Sequence, residues 1–190
     1  MTSVRILWLV LCLIWIAAEI KLARRPIIGA DQILITERNS QRRLWLTVLG
    51  GLDVALLFKT LAWAPIPLAY LPRQVLAMLL FTTGLYLRYL AVAKLGRFFT
   101  TDVAIQREHS LITEGPYRWL RHPAYTGLLI ALFAAGLAMG DFIALVLLLA
   151  PTFWAFKLRI EIEERMLLNE FGVVYTDFCA STWRLLPWVY

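Results

Sequence analysis

Between His109 and Tyr125 the chain reads His-Ser-Leu-Ile-Thr-Glu-Gly-Pro-Tyr-Arg-Trp-Leu-Arg-His-Pro-Ala-Tyr, a run dense in groups that bind charge. Gly115-Pro116 favours a turn, and Pro123 suits the first turn of a helix, where its missing N–H costs nothing. Arg121 and His122 then fall at that helix's N-terminus, where free backbone N–H groups and the helix dipole attract an anion. An acidic ligand can be received there; Arg118 and Arg121 equally suit lipid phosphates at a membrane surface, and His122 suits capping. A second cluster, Glu161, Glu163 and Glu164, is followed by Phe171-Gly172, Tyr175 and Arg184-Leu185-Leu186-Pro187. Carboxylates on a helix usually make a solvated face, but this helix continues from an apolar run that is the hairpin partner of the one after His122. Its carboxylates are thereby held near Arg121. The final Leu-Leu-Pro-Trp-Val-Tyr can fold back on the membrane surface, with Trp183 and Trp188 suited to the interface.

The elements that must position these groups are membrane helices. The 190 residues are 61% hydrophobic and only 17% charged, and mean hydropathy is +0.69, far from a soluble protein's balance. A bilayer core of about 30 Å needs about 20 apolar helical residues, and such runs occur roughly at 4–23, 44–63, 75–95, 124–139 and 141–157. The last two are short and meet at Gly136, Gly140 and Asp141, which predicts a tight helical hairpin; Ala131, Ala135, Gly136 and Gly140 would let its two backbones approach closely. Arg5 precedes the first apolar run, but no small-residue cleavage site follows it, so the run reads as a retained span.

Charge counting tests this plan, because Lys and Arg collect in cytoplasmic loops. Lys21, Arg24, Arg25, Arg38, Arg42 and Arg43 follow the first span, Lys94, Arg97, Arg107, Arg118 and Arg121 follow the third, and Lys157, Arg159, Arg165 and Arg184 lie in the tail. The second connection, with Pro65, Pro67 and Pro72, has only Arg73. Five spans with the N-terminus outside and the C-terminus cytoplasmic satisfy every loop except Arg5. Asp53 and Arg88 fall at similar depth in the second and third spans, which makes an ion pair between them an expectation. In the tail, Lys157 to Phe171 has helical spacing with Glu161 and Arg165 as an i,i+4 pair, and should end at Gly172.

The net charge of +6 would suggest nucleic acid in a soluble protein, but here it is loop charge. No Gly-x-Gly-x-x-Gly, P-loop, paired Cys-x-x-Cys or His-Glu-x-x-His occurs, so Rossmann dinucleotide binding, nucleotide hydrolysis and common zinc chemistry are unsupported. Cys12 and Cys179 have no metal-ligand company and make no disulfide framework. The expected architecture is one all-α membrane domain over 1–190, with three N-terminal spans in 1–95 and a functional core in 96–190.

At the polar segments the sequence resembles the isoprenylcysteine carboxyl methyltransferase family and, more distantly, the phospholipid N-methyltransferases that share its C-terminal signature. The pattern is His109-x-Leu111-Ile112-x-x-Gly115-Pro116-Tyr117, Arg121-His122-Pro123-x-Tyr125-x-Gly127, then Glu163-Glu164, Leu167, Phe171-Gly172, Tyr175 and Arg184-x-x-Pro187. It covers residues 94–190; the first three spans match only as generic membrane helices. The resemblance implies an integral membrane enzyme using S-adenosyl-L-methionine without a Rossmann domain, the cofactor enclosed by the loop before helix 4, the helix 4–5 hairpin and the C-terminal helix. By that likeness His109, Leu111, Ile112, Gly115, Tyr117, His122, Pro123 and Glu163 line the cofactor pocket. Arg121 and Arg184 would face the methyl acceptor, with Glu164 at the reaction centre and no metal; which of Glu163 and Glu164 has which role stays open.

Transfer from a sulfonium to a carboxylate joins a cation and an anion into neutral products, so a dry pocket does not oppose it. The acceptor is already ionised near pH 7 and needs no strong base; the protein must supply in-line positioning, which a two-pronged guanidinium contact can give. The implied acceptor is an isoprenylcysteine-like lipophilic carboxylate entering from the membrane lipid. Methylation of a phosphatidylethanolamine-type amine is the alternative, and it would require Glu163, Glu164 or His122 as general base. Another small amphiphile, such as a hydrophobic thiol, and a non-catalytic lipid-binding scaffold complete the readings.

Overall fold

The structure is a computed structural model that describes residues 2–24, 33–37, 39–99, 103–106 and 110–188. Six helices carry the architecture: α1 (Thr2–Ala23), α2 (Asn39–Leu61), α3 (Tyr70–Leu95), α4 (Pro123–Met139), α5 (Phe142–Phe171) and α6 (Val173–Ser181). Four of them, α1, α2, α3 and α5, are long and apolar enough to cross a membrane, and α4 is a shorter apolar helix. The protein is an integral membrane protein of the all-α class. Its outward surface is apolar, with Ile6, Leu9, Leu13, Leu71 and Leu79 all exposed, as lipid-facing helices require.

Span boundaries lie close to those expected, although α2 starts at Asn39 rather than at roughly 44 and α3 at Tyr70 rather than at roughly 75, and the tail helix continues from the fifth span as expected. The fifth span and the tail helix are a single 30-residue helix containing Pro151, about 45 Å long at 1.5 Å per residue. Pro151 leaves the carbonyl of Leu147 without an intrahelical donor, and that oxygen faces Gly51 of α2, where an added Cβ would lie 3.2 Å from it. The helix ends where the sequence indicated, with the Gly172 N–H donating to the Leu168 carbonyl at 2.9 Å.

The hairpin between α4 and α5 turns on Gly140, whose φ of 84° suits glycine, and on Asp141, whose side chain accepts from the Ala144 N–H. Asp141 also accepts from the Ala64 N–H at 2.8 Å. The Ile66 N–H donates to the Gly140 carbonyl and the Phe142 N–H to the Ala64 carbonyl, so the α2–α3 connection is stitched to the hairpin tip. At the opposite end, β1 (Ile33–Glu37) pairs antiparallel with β2 (Val103–Gln106), in register Glu37↔Val103 and Thr36↔Ala104, with an irregularity between Ile33 and Ile35. This ribbon was not anticipated. It joins the α1–α2 and α3–α4 connections, the two basic loops that charge counting had assigned to one side.

α3 and α4 approach each other closely at two glycines. An added Cβ on Gly84 would lie 2.6 Å from the Gly127 carbonyl oxygen and 2.8 Å from the Ala131 nitrogen, and one on Gly127 would lie 2.5 Å from the Gly84 oxygen. Ala131, expected in the α4–α5 seam, therefore serves α3, while Gly136 does face α5, 3.1 Å from the Leu145 Cα by the same measure. The expected Asp53–Arg88 pair is corrected: Asp53 is exposed on α2, and Arg88 is buried against α1, donating from Nε and Nη2 to Glu19 at 2.6 and 2.7 Å. Depth along a span leaves the direction around each helix axis undetermined.

Candidate active site

The site is assembled where the start of α4 meets the chain after α6. Trp119 to His122 run parallel to Trp183-Arg184: the Trp183 N–H donates to the Trp119 carbonyl, the Arg121 N–H to Trp183 and the His122 N–H to Arg184. The Thr126 hydroxyl donates to the Leu185 carbonyl at 2.7 Å, and Leu185 is fully buried against Leu128, Phe156 and Ile160. The tail folds back onto the start of α4, and Trp183 and Trp188 pack with ring centroids 5.2 Å apart.

This docking places three cationic or imidazole groups on one carboxylate. Glu164, buried on α5, accepts from Arg121 Nε at 2.9 Å and from Arg184 Nη2 at 2.5 Å, while His122 Nε2 lies 3.3 Å away. A carboxylate only accepts, so the His122 contact requires the proton on Nε2. Arg121 Nη1 also donates to the carbonyls of Cys179 and Thr182 at 2.9 and 2.6 Å, where the C-terminus of α6 leaves carbonyls without intrahelical donors. Arg165, expected to pair with Glu161, instead donates to that residue's main-chain carbonyl.

Glu163, one residue earlier, points elsewhere. It lines a cavity of about 160 Å³ together with Arg121, His122, Tyr117, Leu111 and Ile112. Five of the predicted cofactor-pocket residues thus share one cavity with Arg121. Gly115 and Pro123 are not in its wall: Gly115 packs against the Lys94 stem, and Pro123 is buried in the first turn of α4. His109 lies outside the described residues. Glu164 and Arg184 line a separate cleft on the other side of α5, so α5 presents its two carboxylates to different spaces.

Three residues in or beside this cavity were missed in the sequence. Arg159, read there only as loop charge, is buried in the cavity wall and donates from Nε to the Tyr125 hydroxyl at 2.7 Å. Tyr125, quoted only as part of a motif, donates in turn to Glu163 Oε2 at 3.0 Å. Tyr175 borders both spaces; its hydroxyl is buried with no hydrogen-bond partner among the described residues. Burial, reinforced by the Glu164 carboxylate, raises its pKa, so it stays a neutral donor. Burial likewise raises that of Tyr117.

The cavity has an apolar arm lined by Trp15, Leu44, Val48, Leu128, Leu132 and Phe156, drawn from α1, α2, α4 and α5. The Glu19–Arg88 pair lies in its wall, with Glu19 also accepting from Tyr89 and Trp15. A charged end and a lipid-like end in one enclosure suit an amphiphile with an acidic head.

Fold and site thus define a polytopic helical membrane protein with a charged pocket at one end of its bundle. The family model of the isoprenylcysteine carboxyl methyltransferase (ICMT) family matches residues 75–169, and the chain belongs to that family. Among similar proteins, a protein-S-isoprenylcysteine O-methyltransferase of Schizosaccharomyces pombe is 29% identical over 153 residues, covering 74% of this chain and 65% of that protein. Protein-S-isoprenylcysteine O-methyltransferase A of Arabidopsis thaliana is 32% identical over 114 residues, 59% of this chain and 58% of its own length. The solved structure of a eukaryotic intramembrane Ras methyltransferase ICMT has the same fold, with a TM-score of 0.55 and 21% identity over 82% of this chain and 55% of that one. The chain therefore spans less than two thirds of the length of these relatives.

Proposed function

We propose that the protein is an S-adenosylmethionine-dependent membrane methyltransferase acting on the carboxylate of an isoprenylcysteine-like lipophilic acceptor. The observation that carries this reading is the charge around the cavity: among the described residues, its wall carries Arg88, Arg121 and Arg159 against Glu19 and Glu163, one positive charge in excess beside an apolar arm. Such a site favours an anionic head on a lipid. A lipid amine would need a general base, and of the three candidates Glu164, already holding three donors, is a weak one.

The residues present fit the cofactor. Glu163 Oε1 has no partner among the described residues, and the Tyr175 hydroxyl is likewise unsatisfied; both suit the polar groups of the methyl donor. Leu111, Ile112, Met166 and Leu167 supply apolar wall. When bound, S-adenosylmethionine supplies an electrophilic methyl on a sulfonium. Arg121 would hold the acceptor carboxylate, its own position fixed by Glu164 and two carbonyls, so the head group arrives oriented. Arg184 would act from behind as the second counter-charge on Glu164, and His122 would sit between the two glutamates. The apolar walls exclude water from the reacting atoms. We further infer one domain over 1–190, with the N-terminus outside and the site facing the cytoplasm, because the basic loops and the tail share one end.

The test is transfer of labelled methyl from S-adenosylmethionine to N-acetyl-S-farnesylcysteine by detergent-purified protein, followed by base. Base-labile label released as methanol is the expected result. No transfer by protein that binds S-adenosylhomocysteine would reject this acceptor and promote a lipid amine.

A further inference from the structure

Arg159 lies four residues before Glu163, one turn away on the same face of α5. Its guanidinium is buried, yet it does not reach that carboxylate through Nε; the Tyr125 hydroxyl from α4 stands between them, at 2.7 Å from Arg159 Nε and 3.0 Å from Glu163 Oε2. The order of donation in this chain is forced. A guanidinium has only donors and an ionised carboxylate only acceptors, so the hydroxyl accepts from Arg159 and its single proton goes to Glu163. The Tyr125 ring is held by its neighbours, with centroids 5.8 Å from the His122 ring and 5.1 Å from Phe156.

The consequence falls on the two oxygens of Glu163. Oε2 is engaged by Tyr125, with His122 Nδ1 at 3.9 Å, while Oε1 has no partner among the described residues. A glutamate on a helix surface loses rotamer freedom on ordering, and a binding site that orders it only when ligand arrives loses affinity by that amount. Here the side chain is ordered beforehand by a charge-assisted relay whose members polarise one another.

We propose that Arg159 and Tyr125 are positioning residues that lock Glu163 so that its Oε1 meets a hydrogen-bond donor of the methyl donor, a hydroxyl or ammonium group. The proposal rests on the methyltransferase reading above. Arg159 touches neither reactant in this role; it sets which way the Tyr125 proton points.

The test is calorimetric titration of S-adenosylhomocysteine into detergent-purified wild type, Tyr125→Phe, Arg159→Gln, Arg159→Lys and the Tyr125→Phe/Arg159→Gln double variant, with KM measured for both substrates. Tyr125→Phe keeps the ring packing and should weaken binding about tenfold. Arg159→Gln should do the same, the double variant should be no worse than either single, and Arg159→Lys should recover most of the loss because an ammonium also only donates. In Tyr125→Phe, which leaves the charge of the cavity unchanged, KM for the methyl donor should rise while KM for the acceptor stays put. Unchanged binding in Tyr125→Phe, fully additive losses, or a shift confined to the acceptor KM would each overturn the relay. Because Tyr125→Phe preserves packing, it decides the matter even if Arg159→Gln does not fold. Wild type that fails to bind S-adenosylhomocysteine would overturn the relay and the methyltransferase reading together, whereas variants that bind like a competent wild type overturn the relay alone.

Discussion

At the level of single residues, Glu164 is the group on which the site's charges converge. Replacing it by glutamine keeps its volume but leaves Arg121 and Arg184 without their shared anion, and loss of one partner from a buried ionic cluster is costly. Glu164→Gln should lower kcat/KM for the acceptor about a hundredfold, with little change in S-adenosylhomocysteine affinity because Glu164 is outside the cavity wall. Steady-state transfer and calorimetry on the purified variant check both halves; wild-type turnover would remove Glu164 from the site. The residue types here were legible: Arg121, His122 and the paired glutamates stand out by density and order. Their partners were not. Arg159 donates to a tyrosine 34 residues away, and nothing local to Arg159 distinguishes it from the loop charges around it. The opposite aims of Glu163 and Glu164 follow from α5's rotation, which the sequence leaves open until the helices it packs against are known.

Among the elements, the hairpin between α4 and α5 was the most legible, since an αL glycine followed by an aspartate N-cap is a local signal. Asp141 does more than cap. It ties the α2–α3 connection to the hairpin through the Ala64 N–H, so Asp141→Asn should lower the unfolding temperature in detergent, and a thermal scan measures it. Donation from the Ala144, Ala64 and Ile143 N–H groups holds its carboxyl below its ordinary value. The stabilisation is therefore fully present above the unfolded carboxyl's titration near pH 4, and is lost as pH falls through the lower folded value. Wild type should lose stability over that acid window, and Asp141→Asn should show a shallower loss there. The β1–β2 ribbon had no such signal, because strands of four and five residues in basic loops carry too little pattern. The Gly84–Gly127 contact was hidden for a related reason: small residues announce close packing without naming the partner helix.

For the molecule as a whole, the alternation of basic and charge-poor connections predicted which ends lie together, and two sets of contacts agree with it: the ribbon at the basic end and the stitched loops at the other. That agreement leaves the sidedness itself to experiment. In a background lacking Cys12 and Cys179, Pro67→Cys in intact cells should react with a membrane-impermeant maleimide, while Thr176→Cys should react only after permeabilisation; the reverse pattern would invert the orientation. One further property follows from the unbroken course of α5. Its first turn is anchored at Asp141 and its last turns carry Glu163 and Glu164, so the helix transmits angle as well as length. Adding one residue between Leu145 and Phe156 would turn everything beyond it by about 100° and advance it by about 1.5 Å, swinging the carboxylates away from Arg121, Arg184 and Tyr125 even though every one of those side chains remained. The site is thus indexed by helical phase, and its integrity depends on a residue count in a stretch of chain that touches no reactant.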